Sequence, residues 1–198
     1  MAEAGRRTGT LAADLIDAAE AVIEAEGMEA LSLRALAARL GVTHPAVYRH
    51  YRDRDALLAA VLTRGFETVR GLNAGISGPD PRKRLEDYAA AYAGFALDHP
   101  NLFLAMTGPR INMDNRYPEL EKAIEASLAP AVVAVSEMPG GAGRKPIENR
   151  ARATVLFAAL QGVLAQAIYR RLGLKPARRE AFIRDTVHRL VAGFAAQD

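Results

Sequence analysis

Apolar residues recur along this chain with the period of an α-helix, and nowhere alternate for long enough to form a strand. Leu11, Leu15, Ala19, Val22 and Ile23 keep helical spacing from a start near Thr10 to a stop at Gly27. Leu33, Leu36, Ala37 and Leu40 make a second stripe, with Ser32 placed to cap it and Gly41 to end it. Thr43 then caps a third helix whose pattern continues through Ala46, Val47, His50 and Tyr51. Pro45 falls in its first turn, where a missing N–H costs nothing. Asp53 caps a fourth, carrying Leu57, Leu58, Val61, Leu62, Phe66 and Val69.

The stretch 71–81, GLNAGISGPDP, is dense in turn formers and reads as a linker. It divides an N-terminal domain, residues 1–70 with the connecting helix, from a larger domain, residues 71–198. Pro81 opens a helix lined by Leu85, Tyr88, Ala89, Tyr92, Phe95 and Ala96, and a short helix with Leu102, Phe103 and Met106 ends at Gly108-Pro109. Another begins at Pro118, and two long helices, about 146–172 and 176–194, close the chain. The expected fold class is therefore all-α, with roughly nine helices in total. Small residues in the first of the closing pair, Ala151, Ala158, Ala159, Gly162 and Ala165, let another helix approach closely. Either the pair forms the core of a helical domain, or it packs on its copy as a four-helix bundle; a homodimer through the last two helices is the expectation.

Composition narrows the chemistry. With 198 residues, half of them hydrophobic, the chain can fill a sizeable core. The absence of Cys removes disulfides, thiolate catalysis and zinc fingers, and four His without metal-ligand spacing make a metal or cofactor unexpected. No GxSxG stands in the sequence, and no His pairs recognisably with Asp and a nucleophile, so an enzyme is not expected. No apolar run approaches the roughly 18 residues of a membrane span, and MAEAGRRTGT lacks the apolar core of a signal peptide. The expectation is a cytoplasmic protein with no membrane partner.

The net charge of +3 hints at an anionic partner, and its distribution is more telling. Residues 1–55 hold seven Lys/Arg against nine Asp/Glu, the remainder 19 against 14. Asp14, Asp17, Glu20, Glu24, Glu26 and Glu29 form an acidic block, after which Arg34, Arg39, Arg49, Arg52 and Arg54 face only Asp53. An acidic face away from DNA and a basic one toward it would orient an encounter, although two solvated faces of unlike sign fit equally. Arg6 and Arg7 stand in a stretch that reads first as a disordered tail, or else as a flexible arm that could reach phosphates or a minor groove.

Ser32 to Tyr51 is a helix-turn-helix, a unit that lays its second helix in the DNA major groove, though a hairpin that only packs has the same pattern. The segment GMEALSLRALAARLGVTHPAVYRHYRDRDALL closely resembles the DNA-binding domain of TetR-type transcriptional regulators. DHPNLFLAMTG resembles the second-domain stretch of a TetR subfamily known for a Trp-His-Gly signature, here altered, with no Trp and Gln161-Gly162 at the His-Gly position. The resemblance implies a homodimeric repressor, less often an activator, that leaves a double-stranded palindromic operator when a small molecule of unknown identity enters the C-terminal domain. It implies that Thr43, His44, Pro45 and Ala46 face the bases, while Tyr48, His50 and Arg54 match phosphate-contacting positions. Phenol, imidazole and guanidinium groups all donate to phosphate oxygens, and the helix start at Ser32 adds backbone N–H groups. Arg34 and Arg49 are the candidates for a guanine contact, or else solvated or phosphate-binding arginines.

The candidates for a ligand pocket are Phe66, Tyr88, Tyr92, Phe95, Phe103, Met106, Met113, Phe157 and Tyr169, with Gln161. At helical spacing such residues are more often core than pocket, position by position. Buried tyrosines need hydroxyl partners, so Tyr88, Tyr92, Tyr169 and Gln161 could be the few polar groups of an apolar cavity. The basic cluster Arg170, Arg171, Lys175, Arg178 and Arg179 permits an anionic effector or a solvated face.

Overall fold

A computed structural model describes residues 10–109, 111–112 and 114–195. Met113 and the arm with Arg6 and Arg7 lie outside the described residues. Among the described residues the chain is all-helical, with nine α-helices, one 3-10 turn and no strand.

α1 (Leu11–Glu26), α2 (Leu33–Leu40) and α3 (His44–Tyr48) form the N-terminal unit. The capping residues act as their chemistry suggests: Thr10 Oγ1 accepts the Ala13 N–H and Ser32 Oγ the Ala35 N–H. Gly27 (φ 89°) and Gly41 (φ 66°) end α1 and α2 in backbone conformations that a Cβ would strain. Thr43 takes the N-cap position of α3 without a side-chain hydrogen bond. α3 stops at Tyr48, short of the expected run to Tyr51. The Tyr51 hydroxyl bonds across to the Ala12 carbonyl on α1 (3.3 Å), and extended backbone at Asp53 is needed to cap the next helix through the Ala56 N–H (2.7 Å).

α4 (Arg54–Asn73) links the two halves, running three residues past the expected boundary at 70. It packs on α1, α5, α6 (Pro100–Thr107) and most extensively on α7 (Pro118–Glu137). α5 (Pro81–Asp98) lies against α7, α8 (Pro146–Ile168) and α9 (Pro176–Ala195). One contiguous core runs from Leu15 in α1 to Val191 in α9.

α8 ends four residues before Leu172, where it was expected to stop. Arg170 adopts a left-handed conformation (φ 57°) and the Arg171 N–H reaches back to the Gln166 carbonyl (2.9 Å), closing the helix before Gly173. The expectation about apolar runs needs correction at the same helix. α8 is long and apolar enough, by length and composition, to cross a membrane, although a helix within a folded protein passes the same test. Only 28% of its apolar window is buried in one chain, with Ile147 and Val155 two-thirds exposed.

Candidate functional site

Of the residues expected to meet DNA, Arg34, Thr43, His44, Pro45, Tyr48, Arg49 and His50 are exposed on the N-terminal unit. Val47 on α3 is fully buried and anchors the helix, leaving Thr43, His44, Pro45 and Tyr48 exposed around it with Ala46 half-buried. The His44 and Tyr48 rings meet edge-on at 4.9 Å, so the two side chains present one shared face. Arg49 and His50 are exposed in the turn that follows, and Arg34 is exposed on the first turn of α2. Among the described residues no carboxylate lies within ion-pair distance of Arg34 or Arg49. Ser32 is half-buried and its hydroxyl is taken by the helix cap.

Arg54 has a different position from the one the resemblance implied. Its guanidinium turns into the domain, donating to the carbonyls of Leu31 (3.2 Å) and Met28 (2.6 Å), with Glu29 at 3.8 Å. It ties the start of α4 to the turn preceding the helix-turn-helix. Arg64, three turns along α4, bonds Asp17 and Glu20 of α1. Two arginines of α4 thus fasten that helix to the N-terminal unit, and the acidic block on α1 is partly spent on this attachment.

The second domain holds two cavities that share Phe66 and Ile124. The first, about 240 Å³, is lined by Phe66, Val69 and Asn73 of α4 and by Tyr92, Phe157 and Gln161, with Ser127, Thr154 and Arg150 among its polar edges. The second, about 290 Å³, takes in Met106, Ile111 and Leu120. Four expected residues, Phe66, Tyr92, Phe157 and Gln161, therefore come together in one cavity, and Met106 lines its neighbour. Gln161 donates to the Tyr92 hydroxyl at 3.0 Å, and burial pushes Tyr92 up to about 12, so its phenol stays protonated. Tyr92 also meets Phe103 and Phe157 edge-on, at 5.6 and 5.4 Å.

Tyr88, Phe95 and Phe103 are buried but line neither cavity. The Tyr88 hydroxyl donates to the Ile76 carbonyl at 3.5 Å. Tyr169 is more than half exposed, beyond α8, beneath the Arg171 guanidinium at 5.2 Å. Sequence reasoning missed Asn73, which it placed in a linker. The residue is buried against the first cavity, and its Oδ1 has no hydrogen-bond partner among the described residues. Arg150, at the rim, reaches Glu125 of α7 at 3.2 Å. Among the described residues no cluster of His, Asp and Glu could hold a metal ion.

Comparison with known proteins decides the family. Residues 15–61 match the family model described as "Bacterial regulatory proteins, tetR family", and residues 85–190 match "Tetracyclin repressor-like, C-terminal domain". The chain belongs to the TetR family. Its members are DNA-binding transcriptional regulators, not enzymes. The uncharacterized HTH-type transcriptional regulator Rv0681 of Mycobacterium tuberculosis is 28% identical over 123 residues, 62% of this chain and 56% of that protein. The chain spans about half the length of the curated relatives it matches. A protein of unknown function from Rhodococcus sp. RHA1 shares the fold with a TM-score of 0.76 at 29% identity, covering 98% of this chain and all of the other. BioQ, solved with its natural double-stranded DNA operator, gives 0.68 at 20% identity over 95% of this chain and 99% of its own. At that identity the likeness shows the TetR fold alone. The C-terminal match does not single out the Trp-His-Gly subfamily.

Proposed function

We propose that this TetR-family chain acts as a homodimer that binds a palindromic operator and releases it when a small molecule occupies the α4-lined cavities. The observation that carries this reading is α4 itself. Its first residue, Arg54, is bonded to the carbonyls just before the helix-turn-helix, and Phe66 and Val69 on the same helix wall a cavity. Twelve residues of helix set Arg54 and Phe66 roughly 18 Å apart. A ligand that displaces Phe66 therefore moves a helix fastened to the DNA-reading unit by Arg54 and Arg64. Ligand and operator then oppose each other, because a molecule that favours one arrangement of α4 must disfavour DNA that fits the other.

Residues 1–70 serve as the DNA-binding unit and 71–198 as the effector and dimerisation domain. Thr43, His44, Pro45 and Ala46 meet base edges, while Tyr48, Arg49, His50 and Arg34 meet phosphates or a guanine. Arg54 serves as a brace. The two cavities have mostly apolar walls with a few polar groups, which suits an amphipathic ligand. Ile147, Ala151, Val155, Ala158, Ala159 and Gly162 leave an exposed stripe of apolar and small residues along α8. Covering that stripe with the same helix of a second chain is the bundle geometry such residues permit.

Val155→Glu puts a charge in the middle of the stripe. Light scattering is expected to find wild type dimeric and the variant monomeric, with operator affinity in a gel shift at least about tenfold lower through loss of the paired half-sites. A monomeric wild type that binds operator as tightly as the variant would sink the proposal.

A further inference from the structure

Several arginines in this molecule are engaged by carboxylates. Arg54, Arg64, Arg84 and Arg150 each pair with a carboxylate. On the DNA-reading surface Arg34 and Arg49 have none. A second concentration of cations with no carboxylate partner among the described residues lies far from that surface in sequence, at the turn from α8 to α9, where Arg170, Arg171, Lys175, Arg178 and Arg179 precede the next carboxylate, Glu180. Two cavities, of about 310 and 320 Å³, open there, and both are lined by Arg170 and Arg179. Among the described residues no carboxylate lines either one. Glu24, beside Asn101, is directed to His99, with Nδ1 at 3.4 Å from its carboxylate.

Two details indicate a built site. The Arg179 Nε is sealed from solvent with no acceptor among the described residues, a state that is costly for a charged donor. Arg170, the left-handed residue (φ 57°) that closes α8, lines both cavities together with Arg179. The rest of the first is apolar, Ala167, Leu172 and Leu174, and the second adds Leu97, Pro100 and Ile168 with one polar residue, Asn101, whose amide donates to the Glu24 carbonyl.

From this juxtaposition we propose that the α8–α9 turn binds a phosphate monoester of a small organic molecule, its phosphoryl group held by Arg170 and Arg179 and its apolar body on the leucine-rich wall. A guanidinium fork matches phosphoryl oxygens in pairs, and an oxyanion supplies the acceptor that Arg179 Nε lacks. The site is separate from the α4-lined cavities, so it stands whether or not those cavities bind an effector.

Isothermal titration of the full chain with phenyl phosphate, inorganic phosphate and benzoate, at fixed chloride, tests the proposal. Phenyl phosphate is expected to bind saturably and tighter than the other two. Arg179→Gln and Arg170→Gln are each expected to weaken it at least about tenfold, as loss of a charge-assisted hydrogen bond does. Arg82→Gln, at an exposed arginine on α5, is expected to leave it unchanged. Because Arg170 is exposed, its variant reads the site even if Arg179→Gln does not fold. Inorganic phosphate binding as tightly as phenyl phosphate would assign the site to the free ion and overturn the monoester. Benzoate binding as tightly as phenyl phosphate, or equal affinities in wild type and the Arg170 variant, would overturn the phosphoryl site itself.

Discussion

Side chains on the DNA-reading surface divide by what their chemistry can distinguish. A phenol or imidazole donating to a phosphate oxygen finds the same acceptor on every sequence, whereas a ring at the start of α3 meets base edges that differ. Tyr48→Phe and His50→Ala are therefore expected to weaken binding to a selected operator and to a random duplex by similar factors, and His44→Ala to change the ratio between them. Gel-shift titrations on both duplexes check this, and a ratio that moves with His50 but not with His44 would reverse the assignment. At this scale the sequence was readable where chemistry is local. The oxygens of Thr10, Ser32 and Asp53 cap the helices they precede, and Gly41 takes the left-handed turn. It was unreadable where a partner comes from afar. Nothing near Arg54 in sequence announces that its guanidinium is met by carbonyls 23 and 26 residues earlier.

Helix spacing fixes which residues face inward, but not whether inward means core or cavity. Tyr88, Tyr92 and Phe95 share a face of α5, yet only Tyr92 reaches the first cavity, and it does so where Gln161 on α8 meets its hydroxyl. Asn73 belongs to the same lesson. Read as a linker residue among glycines, it is the last residue of α4, turned against the cavity. The short α3 also escaped the periodicity, because Tyr51 is drawn off to α1. At the contact between α1 and α6, burial raises the Glu24 carboxyl above its ordinary value, opposed by His99 and by the backbone amides of Leu102 and Asn101. A carboxyl that binds its proton more tightly when folded adds stability below its unfolded value, and that contribution is lost as pH rises through the folded value. Glu24→Gln removes the titration. Thermal melts are expected to show the variant gaining on wild type as pH rises from about 4 to about 7. A difference in melting temperature that is constant across that range would contradict the assignment.

For the whole molecule, the all-helical architecture was legible, since nine stretches of helical periodicity separated by Gly, Pro and capping residues leave few other folds. The apolar character of α8 was underestimated, because scattered Ala and Gly do not read as a hydrophobic run, although a helix gathers them onto one stripe. The proposed second chain on that stripe would give the molecule two reading helices, and two helices held in one rigid pair demand symmetric DNA. The measurement that bears most directly on this is selection of duplexes from a random pool by the full-length chain, followed by titration of the winner. The account predicts an inverted repeat with half-site centres about one helical turn apart, bound by two chains or a multiple of two. Enrichment of no sequence, or of a single asymmetric site bound by one chain, would contradict it.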